Sequence, residues 1–218
     1  MGIDGTNYDL WDIRGIYQRF ERWLDRSPGS AAAILGVENG WYVGERKVMH
    51  ERVWFTVYPA AADGQVIDLD FTWIPTDRPV SLAGAEEKSY GGLTLRYAPR
   101  TQTVITTPLG NKPDDLAMTR LPWADLSAQF AGAPKPSGAA IFVSPEHPDY
   151  PPTWLTRHYG ALCVGWPGVT PATFQPGQRI QGRYRLWLHR GAPSQGDLQR
   201  AYDAYRAAQG ARWEAAQD

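Results

Sequence analysis

Through much of the chain, hydrophobic and polar positions alternate with the period of two that marks a strand with one buried face. In QVIDLDFTWIP, Ile67, Leu69, Phe71 and Trp73 fall on one side while Asp68, Asp70 and Thr72 fall on the other. AAAILGVENGWYV, KVMHERVWFTVYP, QVIDLDFTWIP and GGLTLRYAP are each rich in β-branched and aromatic residues. Turn signals such as Glu38-Asn39-Gly40, Asp63-Gly64 and Asp77-Arg78-Pro79 punctuate them, which predicts an antiparallel meander over residues 31–99. In RIQGRYRLWLHRG, Ile180, Tyr184, Leu186 and Leu188 share a face, with Gln181, Arg183, Arg185, Trp187 and His189 opposite. That second face mixes cations with an aromatic, more than a plain solvated surface needs.

VITTP and GAAIFVS predict further strands, and the stretch near residues 108–136 between them predicts a long irregular connection of the kind that often belongs to a site. IYQRFERWL fits a strand or a short helical piece. After His189 the period changes: Leu198, Tyr202 and Tyr205 stand at helical spacing, with Ser194 or Asp197 as the cap of a helix over about residues 194–209. The sum is a single domain over residues 1–218, all-β, a mainly antiparallel twisted β-sandwich with a C-terminal helix.

Composition sharpens this picture. Ten Trp and eleven Tyr against six Phe favour aromatics with a polar handle, which suit half-buried surfaces as well as cores, and 22 Gly with 18 Pro fit a turn-rich β protein. The 22 basic residues nearly cancel the 23 acidic ones, and neither sign forms a block, so nothing in the charge favours nucleic acid or an anionic membrane. No run approaches the roughly 18 apolar residues of a membrane span. The N-terminus carries acids where a signal peptide needs a basic flank, which predicts a soluble chain, cytoplasmic as it stands and periplasmic or secreted if a leader has been removed. Cys163, the one cysteine, lies in the apolar run 161–164 and reads as a small buried hydrophobe.

Phosphate loops of the P-loop or dinucleotide type, a G-x-S-x-G elbow, H-E-x-x-H and paired Cys-x-x-Cys are all absent from the sequence, which argues against nucleotide-driven and zinc-thiolate chemistry. No cofactor is expected, and the histidine spacing fits no metal-ligand pattern. What remains is polar and aromatic. EHPDYPPTWLTRHYG places His147, Trp154, Arg157, His158 and Tyr159 around three prolines that fix φ and remove backbone donors, which predicts a stiff, extended segment. AEEKSYGGLTLR offers Glu87 as an acid or base, Lys88 and Arg96 to clamp a carboxylate or hydroxyls, and Tyr90 beside them; its two glycines permit a bulge or a close approach. His50 reads as a residue of a polar strand face, bonded to Glu51 or another neighbour. Trp123 and Asp125 draw interest only because they fall in the irregular stretch.

GAAIFVSPEHPDYPPTWLTRHYGAL, followed by a strand ending LWLHRG, resembles the C-terminal part of the bacterial PmoA-like domain family, and EEKSYGGLTLRYAP and LPWADLSAQFAG resemble its middle motifs in the same order. The likeness runs from about residue 9 to about residue 205. It implies a soluble bacterial β protein with a loose carbohydrate connection, because members keep company with polysaccharide-degrading and sugar-oxidising genes. The family's label suggests methane oxidation, yet a membrane subunit of that kind needs apolar spans. Carried over by position, the matching residues are Lys88, Gly91, Gly92, Arg96, Trp123, Asp125, His147, Pro148, Trp154, Arg157, Gly160 and His189. Relatives carry additional strands upstream with a histidine-rich motif, which this sequence does not show.

Two functions follow as expectations. The first is a carbohydrate-active lyase, hydrolase or epimerase, with His147 or His158 as acid/base, arginines on oxyanions or hydroxyls, and Trp154 as the platform for a sugar ring. The second is a noncatalytic module that binds a glycan or small molecule, or an interface domain of a homo-oligomer. Convergence of His147 and His158 with a carboxylate in one concave site discriminates between them.

Overall fold

The computed structural model describes residues 1–215, with side chains described as far as Gln209. Nine strands form one sheet in the order Gly110–Lys112, Arg100–Thr107, Trp123–Phe130, Ser137–Val143, Ile180–Arg190, Gly64–Pro75, Arg46–Val57, Ala33–Val43 and Tyr17–Ser27. A second sheet runs Thr119–Arg120, Thr153–Arg157, Ala161–Gly165, Thr94–Arg96, and a third runs Ala172–Phe174, Val80–Leu82, Gly2–Ile3, Thr6–Asn7. The registered strand pairs of all three are antiparallel. The all-β architecture with a C-terminal helix is therefore the one that the alternation predicts.

Alternation decides the layers. The inward positions of the long sheet, Leu69, Ile105, Leu126, Ile141 and Tyr184, meet Trp154, Leu162 and Val164 of the second sheet in the main core. The third sheet closes one corner through Ile3, Val80 and Leu82 against Trp41, Met49 and Ile180. On the opposite face of the long sheet, Trp123, Ala140 and Phe142 receive Leu198, Tyr202 and Tyr205 from the helix Gln195–Ala215. Each large side chain so buried contributes roughly 1.5–3 kcal/mol relative to exposure.

The helix starts where the sequence places it. The Ser194 hydroxyl accepts from the Asp197 amide at 3.2 Å while the Asp197 carboxylate accepts from the Ser194 amide at 3.0 Å, a reciprocal cap that uses both expected residues.

Three local expectations change. The meander expected over residues 31–99 ends at Pro75: Val80–Leu82 joins the third sheet, and the strand of GGLTLRYAP, Thr94–Arg96, lies at the edge of the second. Asn39-Gly40 is no turn but the middle of Ala33–Val43, paired with Glu51 and His50. The region near residues 108–136 is less irregular than its composition suggests, because Trp123–Phe130 is an interior strand. That strand is covered on both faces, inward by the second sheet and outward by the helix, so it lacks the polar face that makes a strand legible. Residues 17–27 resolve to the long edge strand, with bulges between Phe20 and Arg22 and between Trp23 and Asp25.

Candidate functional site

The second sheet has an outer face, and register fixes what stands on it. Arg157 pairs with Ala161, and Ala161 pairs with Arg96, so two arginines flank one small residue across three strands. Paired residues share a face, and two strand spacings put the arginine backbones about 10 Å apart. Beside this row Leu155, Ala161 and Cys163 form an apolar floor, against which Tyr90 packs. Trp11, on the 9–14 loop, lies 5.0 Å from Tyr90 between ring centroids, and the Arg96 guanidinium sits 4.9 Å over the Trp11 ring. The loop is held by the Asp9 carboxylate, which accepts from the amides of Trp11 and Asp12 at 2.9 and 3.1 Å.

Both cations bear on the same spot. Burial pushes the Cys163 thiol up, and a Thr94 hydrogen bond and the nearby Arg96 and Arg157 charges pull it back. Among the described residues no carboxylate pairs with Arg96, which remains exposed. Arg157 donates to its neighbour's carbonyl, Thr156 O, at 3.0 Å and approaches Asp115 only to 3.8 Å. An anion entering between the two would meet two donor forks and an aromatic ring.

At the end of this face, Asp115 ties down the turn that follows Arg157. Its Oδ1 accepts from the His158 amide at 2.7 Å and lies 2.7 Å from His158 Nδ1, while His158 Nε2 lies 3.0 Å from the Lys112 carbonyl. Both imidazole nitrogens are thus engaged. Tyr159 is 66% exposed at the tip of the turn. Behind it, Gly160 has φ +111° and leaves room for the Arg100 guanidinium, which donates to the carbonyls of Tyr97 and Ala98.

Of the residues singled out in the sequence, the structure gathers Tyr90, Arg96 and Arg157 on this face, with His158 and Tyr159 at its end. Glu87 and Lys88 lie close by in sequence on an exposed turn, which the buried Ser89 anchors through a 2.7 Å contact with Thr153. Gly92 serves close approach, since a Cβ there would come within 2.5 Å of the Val164 carbonyl.

The others are elsewhere. Trp154 is fully buried in the main core, its indole donating to Leu121 O at 2.7 Å, so it offers no platform to a ligand. Trp123 lies under the helix. Asp125 and His189 form a sealed pair, 2.7 Å apart with side-chain exposures of 0% and 1%, and Ser127 donates to the other carboxylate oxygen at 2.8 Å. His147 sits between the main core and the corner core, edge-on to Tyr184 and Trp166. It accepts the Asp149 amide at Nδ1 and meets the Tyr184 hydroxyl at Nε2, each at 3.2 Å, and burial depresses its pKa to about 4. His147 and His158 stand beyond opposite ends of Thr153–Arg157 and share no hydrogen-bond partner. The two imidazoles do not converge.

Sequence reasoning missed Trp11 and Asp115. Trp11 is 44% exposed between Leu10 and Ile13, and a tryptophan in an acidic, glycine-bounded turn was the available signal.

One group has the composition of a metal site. Ligand atoms of Glu21, Glu38 and His50 lie within 4.8 Å of one another on the outer face of the long sheet. Their carboxylates already hold cations: Lys47 is 2.7 Å from Glu21, and Arg22 and Arg52 are 3.0 and 2.8 Å from Glu38. A divalent ion would have to displace them, so the set fits an ion-pair network better. Glu51, the neighbour expected for His50, points to the opposite face and accepts from Asn39, Trp41 and Trp73.

Residues 4–203 match the model of a family described as a family of unknown function, DUF6807. No curated protein and no solved structure shows a match.

Proposed function

The chain belongs to the DUF6807 family, whose function is unknown, and from that premise we propose that it binds a sugar acid on the outer face of its second sheet. The observation that carries this reading is the pair Arg96 and Arg157 across Ala161, with Arg96 free of any carboxylate among the described residues and resting on the exposed Trp11 ring. A guanidinium fork matches a carboxylate, and charge-assisted pairs of this kind are about twice as strong as neutral ones. Trp11 and Tyr90 supply apolar area for the C–H face of a pyranose. The reading extends the carbohydrate connection that the PmoA-like resemblance implies.

Binding is favoured over acid/base turnover. His147 is buried and held neutral, and His158 has an acceptor at each nitrogen, so neither stands ready to exchange a proton with a ligand on this face. Calorimetric titration with galacturonate and with galactose tests the reading. Galacturonate is expected to bind at least about tenfold more tightly, with the advantage lost in Arg96→Ala, since a charged pair outweighs the 1.4 kcal/mol that a factor of ten requires. Equal affinity for the two sugars, or none for either, overturns it.

A further inference from the structure

The free edge of the long sheet carries a second constellation on the face opposite the Glu21 network. Cross-strand register lines up Phe20, Asn39, Glu51 and Trp73 in one row and Trp23, Val37, Val53 and Phe71 in the next. Exposure falls from the edge to the third strand, from 51% at Phe20 and 46% at Trp23 to 6% at Glu51 and 5% at Val53, beyond which Trp73 and Phe71 are half-buried. Phe20 and Trp23 stand 5.2 Å apart with their rings inclined at 58°, an aromatic corner rather than a flat shelf.

Glu51 organises the polar side of this corner. Its carboxylate is buried without a cation among its bonded partners and accepts instead from four neutral donors: Gln18 at 3.3 Å, Asn39 at 2.8 Å, Trp41 at 3.1 Å and Trp73 at 2.8 Å. A buried carboxylate is costly unless its hydrogen bonds are made. Here they fix Asn39 and Gln18 beside the aromatic pair, each donating one amide hydrogen inward. Their amide oxygens have no protein partner among the described residues; Gln18 is an exposed residue, and the Asn39 oxygen is not sealed from solvent. The Arg26 guanidinium stands 5.6 Å from the Trp23 ring centroid and covers part of that ring; the fixed amide groups and the aromatic surface left beside it suit hydroxyls and C–H faces.

We infer that this edge is a subsite for a neutral oligosaccharide of equatorially substituted pyranoses, with one ring packed into the Phe20–Trp23 corner and its hydroxyls on Asn39 and Gln18. The ligand's chemistry follows from the corner: such a ring presents C–H bonds on both faces and hydroxyls around its rim. The subsite is independent of the arginine face, which lies on another sheet.

The probe is β-1,4-linked glucohexaose, titrated while tryptophan fluorescence and backbone amide shifts are followed, with solution mass measured on the same samples. Wild type is expected to bind, with shifts concentrated on residues 18–23 and 37–39. Trp23→Ala is expected to weaken binding at least about tenfold, and Asn39→Ala to weaken it several-fold while also lowering the melting temperature, because Glu51 loses a donor. Arg96→Ala leaves this binding intact, which separates it from the sugar-acid site. Absence of binding by wild type, or affinity unchanged in both Trp23→Ala and Asn39→Ala, overturns the inference. A doubled mass that Trp23→Ala returns to the monomer assigns the edge to a second copy of the chain and overturns it equally.

Discussion

At the scale of single residues, burial decides which polar groups are structural. His189 and Asp125 are sealed from water, and a buried pair broken from one side leaves the other charge stranded. His189→Ala is therefore expected to lower stability by about 3–5 kcal/mol in urea unfolding while sugar-acid affinity of the folded fraction stays unchanged; a loss of affinity at constant stability would place the pair in the site. His147 sets a pH dependence of definite sign. Its folded pKa of about 4 lies below the ordinary 6.5, so between these values the unfolded chain takes up a proton that the folded chain refuses. Stability from this group is complete above pH 6.5 and falls as the pH drops toward 4, by roughly 3 kcal/mol. Urea midpoints at pH 7 and pH 4.5 are expected to differ less in His147→Gln than in wild type, and an identical difference contradicts the assignment. Neither histidine's burial was readable from the sequence. His189 falls on the face with Arg183, Arg185 and Trp187, as its alternation says, but alternation does not reveal that a helix covers that face.

At the scale of elements, the strands of the meander and the terminal helix were legible because one face of each meets water and the other does not. Trp123–Phe130 was not, because both its faces are covered, and Tyr17–Ser27 was ambiguous because two bulges break its alternation. The stretch EHPDYPPTWLTRHYG is half loop and half strand: Thr153–Arg157 pairs with Ala161–Gly165, which sends Trp154 into the core and Arg157 to the outer face. The turn joining the two strands depends on Gly160. A Cβ there would fall 1.6 Å from Arg100 Nη2 in a backbone conformation that side chains disfavour, so Gly160→Ala displaces Arg100 and strains the turn. A loss of about 2 kcal/mol or more in thermal unfolding is expected; a variant as stable as wild type would show that the turn relaxes freely.

At the scale of the whole molecule, the nine-stranded sheet and the second sheet together present three differently used regions. The centre of the nine-stranded sheet is buried on both faces, by the second sheet and by the helix, and absorbs Trp123, Asp125 and His189, which looked functional in the sequence. Its free edge carries the aromatic corner, and the outer surface of the second sheet carries the arginine pair. Arg96, Arg157 and Tyr90, on which the proposed site rests, stood out in the sequence because charged and half-polar side chains on short strands near glycines have few structural uses. Their aromatic partner did not, since ten tryptophans look alike until exposure separates Trp11 from Trp154. The central claim is that one anion is held jointly by two arginines of one cross-strand row on this surface. A double-mutant cycle on galacturonate affinity with Arg96→Ala and Arg157→Ala tests it most directly. A shared anion predicts that the double variant loses less than the sum of the two single losses, with a coupling of about 1 kcal/mol or more. Additive losses, or no loss in either single variant, would contradict it.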